Sequence, residues 1–485
     1  MALIQVDRMG VKQAVDEINA LRQVKSCFTA GNALLPNSCL LRWEGNHFVM
    51  NFATTDHVAM NIAHYQGMQP FAFTVSCDNY EVPEKGASVS LWNRCFTNPD
   101  VVEMQISQFR SKGISDEQNY FLRYITPIAA NLWKTIDRGL RGYVYKLGNT
   151  QTQTLYPLHL TCSDLQVHHY VDENGNYFLM IDALSPVSLD CIEKAAFNIL
   201  LSFGLLFGEM PLDEAYMFVY EGKDFKTPQA LVYKSLVKTL RHDYSIFTSN
   251  VYSVLTPLGI RKDPVNGENR MCNAITKRKW HIDEFPLDVF CKLVQNFLDY
   301  EALSWGGFYL INACHFTMEM QPGAYSMALE TLTSEAESKM MPKGSLNIID
   351  ANYWPAIHTA LDSLVDGYVQ SGQITPNNVG KVKAKINSLS GPTNIDRLCK
   401  PLLFYGYPLS AAEVNLIKQR NNALHGGIKA SMTIDQAFTQ LQNTALGLHR
   451  LCCTLLLKMA GYQGYIINNQ RMFGCDEKAR PFIWI

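Results

Sequence analysis

Residues 410–427 read SAAEVNLIKQRNNALHGG, and this stretch carries its own start and stop signals. Ser410-x-x-Glu413 is a capping box, in which each side chain satisfies the other's backbone N–H at a helix start. Gly426 and Gly427 supply a residue for the left-handed conformation that closes a helix. On a wheel of about 100° per residue, Val414, Ile417 and Leu424 form an apolar stripe with Asn421 inside it. Arg420 falls on one flank and His425 on the other, about 140° apart. A helix striped in this way has to lie against other helices, so the stretch predicts a packed helical bundle.

The surrounding sequence extends that prediction. GAYSMALETLTSEAESKM, NYWPAIHTALDSLVDGYVQSG and TPNNVGKVKAKINSLS each read as helices, the last with Thr375 as cap and Pro376 at the first position. Thr433-x-x-Gln436 opens a further long helix that ends at Gly461. The first half has a different grain. LLRWEGNHFVMNFA alternates around Gly45–Asn46 and LQVHHYVDENGNYFLMIDAL around Asn174–Gly175, both hairpin patterns. AAFNILLSFGLLFG is a buried core helix, too short and too interrupted by Asn198 to span a bilayer. TPQALVYKSLVKTLRHDYSIF reads as a helix with Pro228 in its first turn. The expected class is α+β. A strand-rich domain covers residues 1–190, a mixed α/β region 191–312, an all-helical bundle 313–470 and a tail 471–485.

Composition excludes several classes. Of 485 residues, 47% are hydrophobic and 18% charged, which is a core-forming chain and not a disordered one. The net charge of −2 means that any nucleic-acid surface has to be a local patch. The 13 cysteines contain no CxxC pair, which fits free thiols in a reducing cytoplasm better than a disulfide or zinc framework. The opening MALIQVDRMG lacks the basic-then-apolar pattern of a signal peptide, so a cytoplasmic location without membrane contact is expected.

Within RNNALHGG, three side chains have complementary chemistry. His425 can move a proton near neutral pH. Arg420 presents a planar fork that suits phosphate oxygens. Asn421 can orient a hydroxyl or a phosphate. No carboxylate cluster lies nearby in sequence, so neither a metal nor another cofactor is expected. If the helix meets a second copy of itself, a two-fold axis would gather two such sets in one cleft. The competing explanation is plain: basic side chains in a last helical turn satisfy carbonyls and complement the dipole.

The motif as a whole resembles the HEPN superfamily, whose signature is Arg, a polar residue, three variable residues and His, often followed by Gly. Arg420, Asn421 and His425 fill those positions. YSMALETLTSEAE and LHRLCCTLLLKMAGYQGYI are similar to the first and closing bundle helices of large prokaryotic HEPN proteins of the ApeA-like type, and Glu330 stands where these often carry an acid. The resemblance covers residues 313–470. It implies a dimeric, metal-independent endoribonuclease of a prokaryotic defence or toxin system, with Arg420, Asn421 and His425 catalytic and Glu330 supporting. RNA is then the expected partner, together with a second copy of the chain and a phage-derived trigger or regulatory partner. Some members are inactive, so a non-catalytic protein that binds RNA or a partner and dimerises is the alternative, as is a ligand-sensing defence protein.

Other features are weaker. Lys277, Arg278, Lys279 and Trp280 combine charge with an aromatic ring and could grip RNA backbone while stacking a base, against the ordinary reading of a solvated loop. Lys381 and Lys383 could extend a phosphate track, or simply face solvent. His168 and His169 lie in a strand, where one has to point inward. Core packing explains them better than a metal site.

Overall fold

The structure, a computed structural model, describes residues 8–30, 38–45, 47–53, 73–75, 80–83, 87–89, 101–147, 151–250, 282–342, 344–345, 347–424, 433–476 and 479–485. The fold is α+β, with strands in the first half and helices in the second. The chain divides into two compact units: Met1–Val251 with Lys279–Leu298, and Tyr252–Arg278 with Asp299–Ile485.

The first unit is built on one large antiparallel sheet. Strands Asp164–Val171, Tyr177–Ala183, Phe121–Ile128, Glu214–Tyr220, Ala230–Ser235 and Gln108–Ser111 lie side by side in that order. The sheet continues through Tyr80–Val82, Phe73–Val75 and Lys25–Ala30 to the hairpin Ser38–Glu44/His47–Ala53. Both expected hairpins form, with Gly45 and Gly175 at positive φ. Helix α1 (Arg8–Leu21) adds Val11, Val15 and Ile18 to the buried core that also holds Phe48, Tyr216 and Phe218. Helix α2 (Ala130–Gly139) and helix α3 (Leu189–Phe207) follow, and α3 is the apolar helix read in the sequence. Ser188 caps its start, and its buried polar residues are satisfied along the helix: Asn198 donates to Lys194 O and Ser202 to Asn198 O. Helix α4 (Leu287–Asp299) stacks Phe290 on Phe203 with ring centroids 5.2 Å apart.

One expectation fails here. Residues 230–235 form a strand and not a helix, because Leu231 and Tyr233 belong to the aromatic core while the backbone is claimed by neighbouring strands on both sides. Sheet pairing has overridden a local helical pattern. That same strand joins residues beyond 190 to the sheet of the first unit.

The second unit is helical: α5 (Glu301–Ala313), α6 (Gln321–Glu335, continued by the π turn Ala336–Met340), α7 (Trp354–Gln370), α8 (Pro376–Asn387), α9 (Asn394–Phe404), α10 (Ala411–Leu424) and α11 (Ile434–Met459). A short hairpin, Tyr465–Ile467 with Phe482–Trp484, encloses α12 (Asn469–Met472). Helix α11 is the axis of the bundle. Every residue from Thr444 to Leu457 is buried, as befits a helix covered on all sides. Helices α5, α6, α9 and α10 pack on it. At two glycines a larger residue would force a neighbouring leucine side chain to shift. A Cβ on Gly306 would lie 2.6 Å from Leu332, and one on Gly447 2.5 Å from Leu416. Helices α7 and α8, expected inside the bundle, instead pack on one another and contribute just Val365 and Ile386 to the buried set. Among the described residues no helix is long and apolar enough to cross a membrane.

Candidate functional site

Helix α10 begins at the expected capping box. Ser410 N–H donates to Glu413 Oε2 at 2.8 Å, and Glu413 N–H donates to Ser410 Oγ at 3.3 Å. The same carboxylate has a second set of partners. Its Oε1 accepts from Arg450 Nη1 at 2.7 Å and from the Tyr407 hydroxyl at 2.6 Å. Arg450 also donates to Gln470 Oε1, and Gln470 Nε2 donates to Asn443 Oδ1 at 2.7 Å. These buried contacts fix the start of α10 against α11 and α12.

Burial by itself would raise the Glu413 carboxyl, but the Arg450 charge, the Tyr407 hydroxyl and the Ser410 donors outweigh it and hold the group below its ordinary value. A depressed carboxyl contributes stability above its unfolded pKa of 4.5, and that stability is lost as pH falls through the lower folded value. Glu413→Gln is therefore expected to melt below wild type near neutral pH, with the gap narrowing as the pH drops to about 4 and beneath. Thermal melts across that range test it. A gap that stays constant would mean that the lost charge is not what matters.

Among the described side chains of α10 the buried stripe is Glu413, Ile417 and Arg420, with Val414 half-buried. The expectation that Arg420 sits on a flank is therefore corrected: it lies in the stripe itself and is 6% exposed. The reason is its partner. Arg420 Nη2 lies 2.9 Å from Glu330 Oε1 on α6, a carboxylate whose own side chain is 52% exposed. The guanidinium is thus buried with its charge compensated, at the edge of a polar groove of about 290 Å³. Thr333 and Glu337, on α6 and its π turn, form one wall with Glu330, and Asn394 and Arg397 of α9 form the other.

The structure joins Arg420 to Glu330, the acid read in the sequence as supporting the motif. Asn421 lies in the helical backbone of α10, but its side chain is outside the described residues, as are all of His425 and the stretch Lys277, Arg278, Lys279 and Trp280. Lys381 is exposed on α8, and Lys383 pairs with Asp366 at 2.8 Å. Neither lines the groove. His168 and His169 serve the sheet. His168 Nε2 lies 2.9 Å from Asp182, and His169 stacks on Trp133 at 4.3 Å, its pKa pushed down to about 4 chiefly by burial. Cys452 and Cys453 are buried in α11, and burial raises both thiols, which leaves them unreactive.

Arg397 escaped the sequence reading because α9 did. Its signal was present: Thr393-x-x-Asp396 is a full capping box, with Asp396 N–H on Thr393 Oγ1 at 3.1 Å and Thr393 N–H on Asp396 Oδ2 at 3.2 Å. Pro401 inside the helix hid the pattern.

No family model, no curated protein and no solved structure matches the chain. The HEPN resemblance rests on the motif residues themselves.

Proposed function

We propose that the chain is a cytoplasmic, metal-independent endoribonuclease of a prokaryotic defence or toxin system, acting on RNA, with tRNA a candidate target. A 2′-hydroxyl gives its proton to a base and attacks the adjacent phosphorus. The P–O5′ bond breaks, and the leaving oxygen takes a proton from an acid. The products are a 2′,3′-cyclic phosphate and a 5′-hydroxyl. In this reading His425 moves the protons, Asn421 orients the substrate and Arg420 stabilises the phosphorane. Two copies associate through the bundle, which brings both motifs to one cleft, and the sheet unit receives the trigger. The observation that supports the reading is Arg420 itself: a buried guanidinium, held by Glu330 at 2.9 Å and placed on the wall of a polar groove.

A second reading draws on the same ion pair. With its charge met by Glu330 and 6% of its surface exposed, Arg420 would also suit a non-catalytic bundle that binds RNA or a partner. Expression in a bacterial host separates the two. The nuclease arrests growth and leaves RNA fragments ending in cyclic phosphate, while His425→Ala does neither. Light scattering of the nuclease gives the mass of a dimer. A monomeric wild type that never yields fragments, even in phage-challenged cells, favours the second reading.

A further inference from the structure

We propose that Arg397 is a phosphate-positioning residue, binding a backbone phosphate of single-stranded RNA next to the one that Arg420 contacts. The assignment rests on the nuclease reading and extends it to a residue outside the motif.

Among the described residues, four charged side chains line the groove: Arg420, Arg397, Glu330 and Glu337. They are not equivalent. Arg420 is already compensated by Glu330. Arg397 is exposed and makes no ion pair or side-chain hydrogen bond with any described residue. A phosphate therefore reaches Arg397 without displacing a carboxylate, and with little desolvation on the protein side. Helix stability does not account for this arginine. It sits in the first turn of α9, the positive end of the helix, where a cation is disfavoured and where Asp396 already supplies the preferred charge. Its planar fork matches phosphate oxygens, as Arg420's does. A groove of about 290 Å³ bounded by both arginines then holds a short piece of backbone and no large folded ligand. Glu337 is the counterweight. It faces the same space, makes no ion pair with a described residue, and repels the ligand that Arg397 attracts.

The test uses the full chain carrying His425→Ala, so that the RNA stays intact. Binding of a labelled single-stranded RNA oligonucleotide is followed by fluorescence anisotropy over a salt series. Adding Arg397→Ala is expected to weaken binding about tenfold and to make the slope of log K against log salt shallower by about 0.7, the value for one phosphate on a single strand. Arg397→Lys keeps the slope and recovers part of the affinity, since it restores the charge but not the fork. Glu337→Gln tightens binding. Three results overturn the assignment in different ways. If the parent binds RNA and Arg397→Ala changes neither affinity nor slope, Arg397 contacts no phosphate, and the nuclease reading stands. If the parent binds no RNA, both fall. A lower melting temperature with an unchanged slope would assign Arg397 to helix α9 alone and also overturn it.

Discussion

Arg420→Ala is expected to slow RNA cleavage by about 10²-fold or more, the loss seen when a preorganised donor to a developing charge is removed. The argument starts from burial. A guanidinium that is 6% exposed and paired at 2.9 Å has its direction set before any substrate arrives. Charge placed in advance is what lowers a barrier, because no reorganisation is needed as the phosphorane forms. Arg420→Lys should rescue poorly, since an ammonium is a point charge without the rigid planar fork that meets phosphate oxygens bidentately. His425→Ala should abolish cleavage, and EDTA should leave the wild type unaffected. Stability should move far less than rate in Arg420→Ala. The partner left behind, Glu330, is half exposed, so water solvates it once the guanidinium is gone. A melting temperature that falls steeply, with no cleavage by wild type under any condition, would make Arg420 a structural latch.

The largest expected effect on stability lies in the other unit. Asp182→Ala should destabilise the sheet by about 3–5 kcal/mol, the cost of leaving a buried charge without its partner. Asp182 accepts from Arg123 Nε at 2.6 Å and Nη2 at 2.9 Å, and lies 2.9 Å from His168 Nε2. Arg123 and His168 are 0% exposed and Asp182 is 1% exposed. Burial would raise the Asp182 carboxyl, yet Arg123 and His168 together hold it well below the usual carboxylate range. Its contribution is therefore present above the ordinary carboxylate value and is lost only in strong acid. Chemical denaturation of wild type and variant at neutral pH measures the difference. Equal midpoints would show that apolar packing alone holds the centre of the sheet.

How legible these features were depended on the range over which they are determined. Local signals were readable. Ser410 with Glu413, Thr433 with Gln436, and the turns at Gly45 and Gly175 all form as their residues require, because a cap or a tight turn is decided within a few positions. Signals set by distant partners were not. TPQALVYKSLVKTLRHDYSIF reads locally as one helix, and only the strands on either side make Ala230–Ser235 a strand. Helices α7 and α8 look like bundle helices on a wheel, yet nothing within them says that they pack on each other. At the site, the type of residue was legible and its setting was not. The fork of Arg420 could be read from its chemistry, while its place in the buried stripe depends on Glu330, ninety residues earlier. The groove required α9, whose interior Pro401 obscured a cap that was otherwise plain.

The double engagement of Glu413 has a consequence for how the motif comes into being. One carboxylate both nucleates α10, through Ser410, and ties it to α11, through Arg450. Helix initiation and tertiary docking are therefore a single event: neither is complete without the other, and a short helix alone in water is marginal in any case. The orientation of Arg420, two turns further on, is inherited from that event. Cooperativity thus reaches from Gln470 and Arg450 to the groove, and residues that touch no ligand help decide whether the motif exists as a geometry or only as a string of letters.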